Sequence, residues 1–307
     1  MFYPLLGVLL LCAIWCAYWY IAFLSAKELV QAKRPEFAGK GLHLGCARES
    51  WGGFPFRFEF QCKAALLQFT QGNESISFQS MKLLAVAQAY NPFHILLLID
   101  GPSSVNGVKL THGRALVSIA ASRNGDWDMS SEAAGVNASG LFSTDQLKLF
   151  ARKTNGRLDL AANAETLIVP IPDHSITSIS HAEIVAQTGA SLLAQPFHGP
   201  TVEQPLEIKS LKISQGPVDF AAQGKIFLNP QHRLAGRMSS QTNDIDWLMP
   251  IIAPIFSLNE QDSVSIKNLL NLTGRDPATN TTKADFNANE GVLYWGPLKL
   301  VDLIPLY

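Results

Sequence analysis

The histidines and cysteines are the residues of this 307-residue chain best suited to metal or nucleophilic chemistry, and their spacing argues against both. His43, His94, His112, His174, His181, His198 and His232 are dispersed, with no two placed four residues apart. No single helix face therefore presents a pair of imidazoles to a zinc ion, and a metal site would have to be assembled from distant loops. Surface or hydrogen-bonded histidines are the expectation. His94, behind a Pro-Phe pair at the head of an apolar run, is the best single candidate, against a structural hydrogen bond as the simpler role. No His-Glu-x-x-His, Gly-x-Ser-x-Gly, Gly-x-Gly-x-x-Gly or phosphate-loop pattern occurs. No catalytic, cofactor-binding or metal-binding residues are assigned, no cofactor is implied, and the expectation is a protein that is not an enzyme. A hydrolase would need Ser, His and acid side chains converging from separate loops, which nothing in the sequence foreshadows.

The cysteines fall into two classes. Cys12 and Cys16 lie one helical turn apart inside an apolar run, where they pack as small hydrophobes. Cys46 and Cys62 flank a Gly- and Phe-rich stretch, and a disulfide between them would close a loop of about 17 residues, contributing about 3 kcal/mol in an oxidising compartment. Zinc is the poorer alternative: His43 is near Cys46, but no fourth ligand follows at a recognisable spacing.

Between these two cysteines, Phe54, Phe56, Phe58 and Phe60 alternate with Pro55, Arg57, Glu59 and Gln61, the period-two pattern of a strand burying one face. Arg57, opposite the phenylalanines, reads as the solvated face of an edge strand, with an anionic head group as the sharper alternative. A final strand over residues 291–301 carries Val292, Tyr294, Leu298 and Leu300 on one face and Leu293, Trp295 and Val301 on the other. Apolar residues on both faces imply double-sided burial or a groove. Phe54, Phe56, Phe58, Phe60, Tyr294 and Trp295 are therefore the candidate lining of an apolar ligand groove, with ordinary core packing as the competing reading.

The element that must deliver these residues is N-terminal. Residues 2–26 contain no charge and as a helix would extend about 37 Å, enough to cross a bilayer core. Trp15, Tyr18, Trp19 and Tyr20 crowd its C-terminal half like an interfacial aromatic belt. Leu24 fits poorly at the −3 position of a cleavage site, so residues 1–26 are read as an uncleaved transmembrane signal anchor rather than a cleaved signal peptide. Lys27, Lys33, Arg34 and Lys40 follow it, and the positive-inside rule applied literally would keep the rest of the chain in the cytoplasm. The disulfide reading favours the opposite side, a bacterial inner-membrane protein crossing once with its C-terminal domain in the periplasm. The two indications conflict.

Residues 27–50 read as a helical and turn-rich linker in which Pro35 stops the helix. Residues 51–307 read as a β-rich envelope domain of two halves meeting near residues 170–205, where prolines cluster. Strands are expected over 64–70, 75–88 and 93–100, then a hairpin of 108–111 with 114–121 around His112-Gly113. Turns at Asn155-Gly156 and Asn229-Pro230 punctuate the rest. Asp244 and Asp262 each cap a short helix, the second ending at Gly274, and residues 274–285 form a polar loop. The fold class is mainly β, a β-rich α+β: long curved antiparallel sheets with a few short helices, preceded by one transmembrane helix. Net charge is −1, which leaves no basic stripe for nucleic acid.

An N-terminal hydrophobic anchor, the run Gly53, Phe54, Pro55, Phe56, Arg57 between Cys46 and Cys62, and Tyr90, Asn91, Pro92 ahead of Phe93-His94 together resemble a bacterial family known as domain of unknown function 2125. The closing Gly-Val-Leu-Tyr-Trp-Gly-Pro-Leu-Lys-Leu of residues 291–300 is similar to that family's last strand. The resemblance implies an uncharacterized cell-envelope protein and no reaction. Residues 224–249, strand, turn, strand and short helix, are more weakly similar to repeats of AsmA-like envelope proteins implicated in lipid transport. The function expected is a membrane-anchored envelope protein that binds lipid or another hydrophobic ligand along an apolar sheet face. The alternative is a structural or assembly factor that docks another envelope protein through its sheet edges.

Overall fold

The computed structural model describes residues 3–170, 177–193, 199–256, 258–289 and 291–305. It is β-rich, with antiparallel strand ladders and a long apolar helix at the N-terminus. That helix, α1 (Tyr3–Gly39), is the one described helix long and apolar enough to cross a membrane. It does not stop at Pro35, which lies inside it. Proline deletes one N–H from the ladder, and here the flanking turns are tied by Glu36, which accepts from Lys33 at 2.5 Å and Lys40 at 2.9 Å.

The chain divides into two compact units, Met1–Ser131 and Glu132–Tyr307, with the boundary inside a strand; the proline-rich residues 170–205 fall within the second. The first unit follows α1 with β1 (Leu42–Gly45), β2 (Arg48–Gly52), β3 (Arg57–Gln71), β4 (Glu74–Gln88), β5 (Asn91–Val105), β6 (Val108–Thr111) and β7 (Arg114–Ala121), and β8 (Trp127–Ala138) contains the boundary. β1 and β2 share one edge of β3, β4 takes the other, and β5 pairs with β4. Residues 54–61, read as a strand from their alternation, and the expected strand 64–70 are arranged otherwise. β3 starts only at Arg57 and then runs unbroken through Ala64, whose φ of +47° bends it. β6 and β7 have the expected bounds but do not form a hairpin with each other: β6 pairs with the last residues of β5 and β7 with residues 94–100. His112-Gly113 is the corner between them. The reason is steric and polar: the His112 ring sits against the Cβ-less Gly101 of β5, and its Nε2 is 2.8 Å from Ser103 Oγ.

The second unit is a meander of β9 (Phe142–Thr154), β10 (Arg157–Val169), β11 (Thr177–Gly189), β12 (Leu206–Gln215), β13 (Val218–Leu228) and β14 (Leu234–Thr242). The first turn uses Asn155 and Gly156, with φ of +52° and +75°, the mirror-image geometry that matches strand twist. Then come α2 (Ile245–Ile255), α3 (Glu260–Thr273), β15 (Arg275–Asp276), β16 (Thr281–Asn289), β17 (Val292–Trp295) and β18 (Leu298–Asp302). β16 returns to pair with β14, so residues 274–285 are partly strand rather than one polar loop. Asp244 caps α2, accepting from the N–H groups of Asp246 and Trp247. α3 is capped one turn earlier than expected: Asn259 accepts from Asp262 N at 2.7 Å, so Asp262 lies in the first helical turn, where its charge suits the helix dipole.

The two helices explain the apolar double face of residues 291–301. Leu248, Ile252, Ile266 and Leu270 pack with Phe220, Leu293 and Trp295 into one core cluster. Trp295 is 2% exposed, stacks on Phe286 at 5.1 Å and donates to Ser240 Oγ at 3.4 Å. Trp295→Ala is expected to cost about 3–5 kcal/mol of unfolding free energy, read as a lowered denaturant midpoint with loss of the near-ultraviolet tryptophan band.

Candidate functional site

The segment 53–57 is a tight turn. Gly53 has φ +106°, and a Cβ there would sit 2.8 Å from the Arg57 carbonyl carbon and 3.1 Å from Glu59 N. The turn closes through Arg57 N donating to Gly53 O at 3.1 Å, and Ala89 N donates to Phe56 O at 2.9 Å, joining it to the β4–β5 turn. Phe54 and Phe56 therefore lie in the turn and not on a strand face, and they are 60% and 63% exposed. Period-two alternation was a false strand signal here, because Gly53 and Pro55 occupy the alternate positions and fix the backbone locally.

What holds this turn is α1. Trp15 Nε1 donates to Pro55 O at 2.9 Å, Tyr18 Oη to Ala89 O at 3.1 Å, and Trp19 Nε1 to Arg57 O at 3.1 Å. Trp19 is buried, stacked on Phe23 at 4.8 Å, edge-on to Phe54 at 5.2 Å and tilted to Phe58 at 5.9 Å. Phe23 reaches Trp51, and Trp51 reaches Phe60 at 4.9 Å. The aromatic residues read from the sequence as a lipid-facing belt thus split: Trp15, Tyr18 and Trp19 serve the sheet, while Tyr20 stays 59% exposed. Their i, i+3, i+4 spacing, one helix face, was the available signal.

Of the other family-motif residues, Tyr90 is exposed in the turn, and Asn91 and Pro92 open β5. Arg57 pairs with Glu59 at 2.5 Å. Cys46 and Cys62 are joined by a disulfide and bind the β1–β2 corner to β3.

Strand register assigns the residues of the first unit's sheet to two faces. Phe58, Phe60 and Cys62 on β3 lie opposite Ala87, Ala85 and Leu83 on β4. These in turn lie opposite Ile95, Leu97 and Ile99 on β5, which face Ile119, Val117 and Ala115 on β7. These residues of β3, β4, β5 and β7 are all apolar, and away from Phe58 and Cys62 they are only half-buried, with Ile95 36% exposed, while on β2 Glu49 lies opposite Cys62 on the same face. The other face carries Arg57–Glu59 towards one end and the Lys82–Asp100–Arg114 cluster towards the other, with Leu84, Val86, Leu96, Leu98 and Leu116 between them. His94 is on this second face, with Nε2 2.8 Å from Ser118 Oγ.

A groove of about 690 Å³ runs beside the later turns of α1, floored by Leu29, Val30 and Phe37 of the helix and Leu42, Leu44 and Leu67 of the sheet. Its rim carries His43, Lys33 and Arg34. Both cations are already paired, Lys33 with Glu36 and Arg34 with both Glu49 oxygens at 2.8 and 2.9 Å. The second unit has an open concavity of about 960 Å³ over β12–β14 and β16, lined by charged and polar side chains together with apolar ones such as Ile208 and Phe227. There Lys209 is hydrogen-bonded to Glu207 at 2.9 Å and holds its carboxyl below the usual carboxylate range, with Lys225 adding to the effect. Tyr294 and Trp295 belong to this unit, and Trp295 is core, so it lines no groove. His181 lies 3.9 Å from Glu183, His174 and His198 fall outside the described residues, and among the described residues no three His, Cys, Asp or Glu side chains gather as a metal set.

A bacterial family described as an uncharacterized conserved protein, domain of unknown function 2125, matches residues 19–303. The chain belongs to this family. Its match begins at Trp19, the residue that docks the helix on the sheet, and takes in both compact units. No curated protein and no solved structure was found to match this family member.

Trp15→Phe, which keeps a ring but deletes one N–H donor, is expected to cost about 1 kcal/mol, and Trp19→Ala about 3–5 kcal/mol. Both would be read as lowered unfolding midpoints in detergent. Reduction of the Cys46–Cys62 bond, or the double change to Ala, is expected to lower stability by about 3 kcal/mol, read by the same titration with and without reductant.

Proposed function

We propose that this protein is a single-pass, membrane-anchored component of the bacterial cell envelope whose first unit binds a lipid or another long apolar ligand. The observation that carries this is the apolar groove beside α1. It lies on the helix turns directly following the uncharged stretch, and its volume is within the about 300–1,000 Å³ of small-molecule sites. Because Lys33 and Arg34 are each neutralised by a carboxylate, the groove recognises a hydrocarbon chain more than a head-group charge. The half-buried apolar face of β3, β4, β5 and β7 offers further surface of the same character.

The site works by binding, without catalysis. The disulfide supports a periplasmic location for the folded part, and the lysines after residue 26 are tolerated because large domains translocate despite nearby charge. Docking of another envelope protein through sheet edges is the competing function.

The deciding experiment is native mass spectrometry of the full chain purified in detergent. A co-purified amphiphile is expected at near-stoichiometric amount, reduced severalfold by Leu44→Asp with Leu67→Asp, with the strand signature in circular dichroism retained. Lipid-free protein crosslinked in membranes to a stoichiometric protein partner would instead establish the docking role.

A further inference from the structure

We infer that one end of the first unit's sheet is itself immersed in the bilayer interface, so that the membrane is contacted by a cluster of strand turns as well as by the helix. This rests on the anchoring of α1 proposed above and adds a second membrane-binding surface to it.

The first argument is one of depth. α1 carries no charge until Lys27, and its outward residues Ile21 and Leu24 are 65% and 40% exposed. These turns are apolar and partly exposed. Yet the sheet end is fastened to Trp15, Tyr18 and Trp19, within that same stretch. From Trp15 to Lys27 the helix rises about 18 Å. That is more than half of a hydrocarbon core of about 30 Å, so the polar boundary lies nearer Trp15–Trp19 than Lys27, with residues 2–14 beneath it and the clasped turn at the level of the head groups and the first acyl carbons.

The second argument is the surface itself. Arg57 pairs in register with Gln88, and Ala89 N bonds Phe56 O, which puts the 53–56 and 89–90 turns at one end of the sheet. That end presents Phe56, Tyr90 and Phe93, 63%, 68% and 48% exposed. Arg123 lies 5.9 Å from the centre of the Phe93 ring, a cation placed among aromatics as at a lipid–water boundary. The opposite end, at Gly72-Asn73, is polar.

The third argument is polar satisfaction. Backbone carbonyls entering a bilayer need donors other than water. At this end Pro55, Arg57 and Ala89 receive theirs from the helix's own indoles and phenol.

Depth-dependent fluorescence quenching tests this on the full chain reconstituted in phosphatidylcholine and phosphatidylglycerol vesicles. Cys12 and Cys16 are replaced by Ser, and an environment-sensitive fluorophore is placed singly through Phe56→Cys, Tyr90→Cys or Phe93→Cys. Asn73→Cys reports the far end of the sheet and Leu9→Cys the helix. Nitroxides on shallow acyl carbons are expected to quench the probes at 56, 90 and 93 severalfold more than that at 73. Equal quenching at 56, 90, 93 and 73, with the probe at 9 strongly quenched, would overturn the inference and leave the anchor standing. An unquenched probe at 9 would overturn the anchoring as well. Three independent positions keep the result from depending on any one substitution.

Discussion

The organisation of the first unit depends on three hydrogen bonds that run from one helix face to the carbonyls of a turn. Indole and phenol groups are amphipathic: their rings suit an apolar environment while their single donor needs an acceptor. On a membrane helix that donor usually finds water or a head group. Trp15, Tyr18 and Trp19 give theirs to Pro55, Ala89 and Arg57, and the tryptophan rings that come with them touch Phe54, Phe56 and Phe58, of which only Phe58 is buried. The sheet therefore starts where the helix permits, and β3 begins directly after the clasped turn. The disulfide then closes the next corner, between β1 and β2, onto the same strand.

Both faces of the first unit's sheet carry a broad apolar stretch, and they differ in where the charged side chains sit. On one side Asp100 lies between Lys82 and Arg114, a cluster with one net positive charge next to Leu84, Leu98 and Leu116. On the other side the register aligns small and branched side chains across four strands. The second unit solves the same problem differently, by laying α2 and α3 over its sheet and sealing Trp295 beneath them.

The sequence revealed the class of fold, the apolar helix and the cysteine pairing through strong local signals: an uncharged run, alternation, and turn residues such as Asn155-Gly156. It misled where two local signals overlapped. Phe54 and Phe56 fit a strand by period, yet Gly53 governs the backbone there. Asp262 fits a cap by type, but Asn259 stands one turn earlier with the same chemistry. Val108–Thr111 and Arg114–Ala121 were delimited correctly, while their pairing to β5 depended on Gly101 leaving room for His112, a contact distant in sequence. The role of Trp15 and Trp19 stayed hidden for a physical reason. Lipid and an apolar sheet exert the same selection on a helix face, and only the carbonyl partners, some forty residues away, distinguish them.

The passage of α1 through Pro35 without a break gives the molecule a mechanical property. A helix that ended at the membrane surface would leave its cargo on a swivel. Here a single rod continues to Gly39 and is clasped to β3 along its way, so the rod and this strand share one axis of motion. β3 is 15 residues long, about 50 Å at strand rise. A helix leaning by about 20°, as membrane helices do when bilayer thickness changes, would carry the far end of that strand sideways by roughly 17 Å. Under the anchoring proposed above, the first unit is in effect a pointer whose far end, where β1 and Gly41 join β3, would amplify small changes in the thickness of the membrane.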